Sequence, residues 1–214
     1  MVSAKKQPQP DDAGVEHNVS SPDDRNRIHE AAAKLFESQG YSQTTLTEIA
    51  RLAGVCLDVV EEHGPKIRLL GAAFWARFAG DEQELDLATY PLADFDATDV
   101  AAIARVIKPV IDGMAASLGV LRAIEDAATC DSEAASLLED LQFAHRSDTL
   151  KMLAQHPGLS ARRRRSVADV LIYTFSHHCY EHLVIGCGWS RERYRRWVAE
   201  HIVTTIDSVL PAGR

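Results

Sequence analysis

Apolar positions recur at three- and four-residue spacing along most of this chain, and no stretch alternates in the manner of a half-buried strand, so the pattern predicts an all-α protein. From Arg25 onward Ile28, Ala31, Ala32, Leu35 and Phe36 fall on one helical stripe; Ser21 or Asp23 can cap its start and Gly40 ends it. A short second helix follows through Leu46, Ile49, Ala50 and Ala53. Thr44 or Thr45 can cap it, and Glu48 is spaced to return a capping box to Thr45. Gly54 supplies the next turn. A third short helix is expected from Leu57 to Glu62, broken by Gly64-Pro65 before a longer helix begins near Lys66. Three short helices with a glycine turn between the second and third make a helix-turn-helix candidate.

Beyond them, helices can be drawn over 99–118, 120–128, 132–155, 161–184 and 191–210, punctuated by Gly119, Asp131, His156-Pro157-Gly158 and Gly186 to Gly188. Residues 1–23 hold few apolar side chains and read as a flexible tail. The acidic stretch from Asp81 to Asp99, interrupted by Pro91, reads as a loop or a frayed helix end.

Composition narrows the classes. A chain of 214 residues with 46% hydrophobic and 25% charged residues can bury a core without staples. Its net charge of -8 argues against a general nucleic-acid binder, though not against a small local contact patch. Cys56, Cys130, Cys179 and Cys187 show no zinc-site spacing, which favours a reduced, cytoplasmic setting. No apolar run reaches the roughly 18 residues of a membrane span, and none follows Lys5 and Lys6 as a secretion signal would require. Neither a nucleophile motif nor a phosphate-cradling glycine loop is present, so neither catalysis nor a cofactor is expected. His178 and His182 lie a helical turn apart and could, with Cys179 or His145, hold a soft metal ion, but no matching ligand cluster completes the pattern, and no metal site is expected.

The segment from Ile28 to Val55 resembles the N-terminal signature of TetR-type (tetracycline repressor) regulators. Its independent parts are a helix ending in Leu35-Phe36, the Gly40-Tyr41 turn, the Thr44-Thr45 cap, Ile49-Ala50 and Ala53-Gly54-Val55. The run from Gly188 to Tyr194 is similar to the start of the last helix in many members. The resemblance implies a helix-turn-helix DNA-binding domain over 24–66 and a helical ligand-binding and dimerising domain over 67–214. It implies a transcriptional regulator that binds operator DNA as a homodimer under the control of a small molecule. The alternative is a protein of the same fold with lost or altered DNA recognition.

That alternative arises in the helix that would enter the major groove. Cys56-Leu57-Asp58-Val59-Val60-Glu61-Glu62-His63 carries Glu61 where the family usually has an aromatic residue, and the Phe expected after His63 is missing. Phosphates repel carboxylates, so Asp58, Glu61 and Glu62 suit a duplex poorly, although a carboxylate can accept from a cytosine amino group. Candidate DNA contacts are Thr45, Thr47 and Arg51 on the second helix, Leu57, Asp58 and His63 on or beside the third, and Lys66, which stands where the resemblance places a phosphate-binding lysine. Arg25 reads better as solvated surface. Trp75, Phe78, Met114, Phe143, Tyr173 and His177 combine aromatic bulk with polar tips and are the candidate ligand residues, with plain core packing as their other reading. Trp197, Val198, His201, Ile202, Thr205, Ile206 and Val209 form a stripe that the resemblance assigns, with the preceding helix, to a dimer interface; burial within one chain would produce the same periodicity.

Overall fold

The computed structural model describes residues 21–80, 99–154 and 158–209. Its elements are α1 (Pro22–Gln43), α2 (Leu46–Ala53), α3 (Leu57–Glu62), α4 (Lys66–Ala79), α5 (Val100–Val106), α6 (Lys108–Ala128), α7 (Ser132–Ala154), α8 (Ala161–Thr174), α9 (His177–Tyr180), a π-type turn over Glu181–Gly186, and α10 (Arg191–Val209). No strand occurs among the described residues, as the periodicity predicts. Of the expected tail over 1–23, residues 1–20 lie outside the described residues, as does the acidic segment over 81–98; Ser21, Pro22 and Asp23 instead form the cap and first turn of α1, because the Ser21 capping box extends the helix back past Arg25.

Local chemistry sets the first boundaries. Ser21 caps α1 and closes a capping box with Asp24, and Pro22 occupies a position where its missing N–H costs nothing. Gly40 takes φ 77°, leaving helical geometry where the sequence ends the helix, and the chain then makes a further turn to Gln43. Thr45 caps α2 through the reciprocal contact with Glu48, and Gly54 adopts the left-handed conformation that closes it.

The later helices divide differently from the sequence reading. Gly119 does not separate two helices: α6 runs through it without interruption, and the break falls at Ile107, ahead of Lys108-Pro109. Proline is tolerated in a first turn, so Pro109 starts α6. The expected helix over 161–184 breaks at Phe175 (φ -106°, ψ 58°), and Ser176 then caps α9 by accepting from the Cys179 N–H.

Two apolar clusters among the described residues organise these helices. The first holds Ile28, Phe36, Ile49, Ala53, Val60, Leu70 and Phe74 from α1 to α4, closed from below by Val120, Leu121, Ala123 and Ile124 of α6. Leu35, Tyr41, Leu46 and Val55 pack at its margin. The second joins Ile103, Ile111, Met114 and Leu118 to Val167, Leu171, Tyr180, Tyr194, Val198 and Ile202. One helix, α6, therefore contributes its first half to the second core and its second half to the first. Arg77 of α4 adds ion pairs to Glu30 and Glu37 of α1 at 2.6 and 3.1 Å, tying the helix-turn-helix to its support.

Candidate functional site

The putting-together of α2 and α3 follows from their apolar faces. Ile49, Ala50 and Ala53 of α2 and Val59 and Val60 of α3 are buried, which turns Thr45, Thr47, Arg51, Asp58, Glu61 and Glu62 outward. Leu57 is half-buried. His63 is half-buried too, its ring edge-on to His29 with 5.9 Å between centroids. The Thr45 hydroxyl accepts from the Glu48 N–H at 3.2 Å, and the Thr45 N–H donates to the Glu48 carboxylate at 3.0 Å, so both groups are engaged in the cap. Cys56 precedes α3 without a side-chain cap, and Asp58 in the first turn supplies the negative charge that the helix dipole favours there. That local reason covers Asp58 alone; Glu61 and Glu62, also exposed, stand in the last turn, where the dipole opposes negative charge.

Lys66 sits under the α1–α2 turn. Its ammonium donates to the Tyr41 and Thr44 carbonyl oxygens at 2.8 and 2.9 Å and stands 4.2 Å from the centre of the Tyr41 ring. Burial holds its pKa below the ordinary lysine value. These contacts tie α4 to the carbonyls left over at the end of α1, and charge-assisted bonds of this kind contribute about 1.5–3 kcal/mol each. Lys66→Met is accordingly expected to lower stability by roughly 2 kcal/mol in urea titration, with Lys66→Arg a poor substitute because its planar fork does not reproduce the geometry. A Lys66→Met protein that unfolds at the wild-type urea concentration would remove this tie.

On the far side of α4 lies a cavity of about 320 Å³ between α4, α6, α7 and α8, also reaching His177 and His178 of α9. Five of the six residues expected at a ligand site line it: Trp75, Phe78, Met114, Tyr173 and His177. Phe143 does not; it is 73% exposed on the outer face of α7. Phe74, Trp75 and Phe78 form an aromatic wall in which Phe74 stacks on Phe78 at 5.8 Å and Trp75 stands edge-on to both. His177 packs against that wall, 5.8 and 6.0 Å from the Phe74 and Phe78 rings.

Of the cavity's polar residues the sequence singles out His177 and Tyr173 as ligand candidates but not Glu125. Met114, Leu121 and Glu125 are spaced by seven and four residues, which places them on one face of α6; that spacing was the available signal. The Ser117 hydroxyl donates to the Gly113 carbonyl oxygen at 2.8 Å, so it accepts from His177 Nε2 at 2.9 Å, and the proton of the neutral imidazole resides on Nε2. Burial is the main cause that holds the His177 pKa at about 4, with His145 and His178 adding to it. Burial likewise lowers His145 and raises the Glu125 carboxyl.

No group of three or more potential metal ligands gathers among the described residues. His178 faces Glu125 at 3.5 Å, while His182 lies near Cys187. The stripe on α10 divides: Val198, Ile202 and Ile206 are buried within the chain, whereas Trp197 and His201 are only partly covered, their rings tilted against each other with 4.2 Å between centroids. On α8, Val170 and Tyr173 are exposed. No helix among the described residues is long and apolar enough to cross a membrane.

The arrangement to compare with known proteins is three N-terminal helices carried on a helical body that holds a cavity. Residues 28–56 match the sequence model of bacterial regulatory proteins, tetR family. A transcriptional regulator from Rhodococcus sp. Rha1 superposes with a TM-score of 0.61 at 16% identity, over 87% of this chain and 99% of that one. A protein from Mesorhizobium loti assigned to the TetR family of transcriptional regulators gives 0.62 at 17% identity, over 86% and 96%. The multidrug binding protein EbrR, solved with imidazole, gives 0.53 at 18% identity, over 91% and 93%. No curated protein sequence matches the chain. The N-terminal helices thus carry the tetR-family signature over residues 28–56, and the fold of the chain is similar to that of these solved regulators.

Proposed function

We propose that this protein is a cytoplasmic, dimeric transcriptional regulator that binds operator DNA through α2 and α3 and is controlled by a small molecule held in the cavity behind α4. The single observation that carries this reading is the double role of α6. Leu121 both lines the cavity and belongs to the apolar cluster beneath the helix-turn-helix, and Phe74 of α4 does the same. A molecule that fills the cavity therefore presses on the residues that seat the reading helices. Close-packed interiors pass such displacement on rather than absorb it. The division of labour falls near Lys66, with residues 24–66 reading DNA and 67–214 binding ligand and pairing with a second copy, through the exposed parts of α8 and α10. That EbrR, similar in fold, is a multidrug binding protein is consistent with a ligand-holding body.

The acidic face of α3 favours a second reading, in which the same fold has altered or lost ordinary operator recognition and serves a small molecule or another partner. Asp58, Glu61 and Glu62 are all exposed there. Selection from a random pool of duplex DNA at low salt separates the two. The regulator reading expects one palindromic sequence to be enriched, with affinity falling steeply as salt is raised. A pool that shows no enrichment after repeated rounds removes operator binding and leaves the second reading.

A further inference from the structure

The cavity's charge identifies the class of its occupant; the inference that follows rests on reading the cavity as the ligand site. Among the described residues its ionisable lining consists of Glu125, Asp148 and Asp169 together with His145, His177 and His178, with no lysine or arginine. Two of the three carboxylates already have cations. Arg146 pairs with Asp169 at 2.9 Å and Lys151 with Asp148 at 3.0 Å. Glu125 faces the His178 imidazole at 3.5 Å, its one ion-pair partner among the described residues. Arg122, one turn before Glu125 on α6, is hydrogen-bonded to Glu181.

The same cavity has an aromatic wall. Phe74, Trp75 and Phe78 are packed edge to face or stacked, and Tyr173 is 68% exposed beside them. Aromatic faces carry negative charge density and attract cations, most strongly at tryptophan. An anion would meet carboxylates with no opposing lysine or arginine in the lining. A neutral ring would gain burial but leave Glu125 in a partly desolvated place without a full counter-charge. A cation with a flat apolar body satisfies the walls and the carboxylate together. The volume of about 320 Å³ falls at the lower end of the range for small-molecule pockets, which limits the ligand to a compact ring system.

We infer that the cavity takes a compact aromatic monocation, its ring system held among Phe74, Trp75, Phe78 and Tyr173 and its positive charge at Glu125. The imidazole of His177, with its Nε2 proton given to Ser117, adds an acceptor on the cavity-lining ring rather than a positive charge.

Three probes of nearly one shape test this: N-methylacridinium, a fixed cation; acridine, neutral at about pH 8, where histidines are also neutral; and acridine-9-carboxylate, an anion. Binding is read by dye fluorescence anisotropy with the full chain, alongside its melting temperature. The cation is expected to bind at least about tenfold more tightly than acridine, a preference of the size that one partly buried charge pair supplies. Glu125→Gln should erase that preference while leaving acridine binding within about threefold, and Glu139→Gln, an exposed carboxylate of α7 outside the lining, should leave the preference intact. Acridine binding as tightly as the cation, or a preference that survives Glu125→Gln, overturns the assignment of charge and leaves the ligand cavity standing. Absence of binding by all three dyes, with no change in melting temperature, overturns the cavity reading as well.

Discussion

Gly113→Ala is expected to cost the protein on the order of 3 kcal/mol, although alanine is the better helix former. In an exposed helix the exchange would gain about 1 kcal/mol. Here α6 crosses the end of α4 so closely that a Cβ at position 113 would overlap the Phe78 carbonyl oxygen, with the carbonyl carbon at 3.1 Å and the Phe78 ring at 3.3 Å. The obstacle is backbone, which cannot rotate away as a side chain does. Relief requires α4 and α6 to separate, and that loosens the wall made by Phe74 and Phe78. Gly119→Ala on the same helix is the internal comparison. Its Cβ would meet the Glu37 side chain, at 2.9 Å from Cγ, rather than backbone; moving it disturbs the ion pair with Arg77, so the net effect should be smaller than at position 113, about 1 kcal/mol. Urea titration of both variants checks the pair. Equal stability of Gly113→Ala and wild type would mean that the helices do not meet as described.

The contrast between these glycines also explains what the sequence could and could not disclose. The second and third helices were legible almost to the residue, because their determinants are neighbours in the chain: Thr45 with Glu48, Gly54 at the turn, and the bounds of α3 at Leu57 and Glu62; the first was legible in its middle, but it starts at Pro22 and runs past Gly40 to Gln43. Gly119 read as a break because glycine often marks one. Its role here is to admit Glu37 of α1, a partner 82 positions away that no local pattern announces. The break at Phe175 was hidden for the converse reason: Leu171, Phe175 and Cys179 carry an apolar spacing of four straight through it, and only the fold brings the Tyr194 hydroxyl to the Thr174 carbonyl oxygen, at 2.9 Å. The cavity was legible in its aromatic residues, since bulk with a polar tip is visible in a sequence. It was not legible in Glu125, because a lone acid on a helix resembles any solvated one until burial is known. Lys66 shows the same limit. Its position was apparent from the motif, but its carbonyl partners on the α1–α2 turn were not.

A second large effect is expected from acid. Folded His177 takes a proton only at about 4, against 6.5 for an ordinary imidazole, chiefly because burial beside Phe74 and Phe78 removes water from the charged form. Between these values the unfolded chain gains a proton at this position and the folded chain does not. Stability therefore falls as pH drops from about 6.5 to about 4, and is indifferent to this residue above that window, where both states are neutral. At roughly 1.4 kcal/mol per pH unit the loss approaches 3 kcal/mol across the window. His177→Phe should flatten this part of the profile, because a phenyl ring suits the aromatic wall and Ser117 keeps its bond to Gly113. Burial also lowers His145, so a smaller slope of the same sign should persist in the variant. Carboxylates titrate in both proteins, which makes the difference between the two profiles the quantity to read. If wild type and His177→Phe lose stability in parallel between pH 6.5 and 4, then His177 is charged or hydrated in the fold, and the bond from its Nε2 to Ser117 does not define a neutral, water-excluding edge of the cavity.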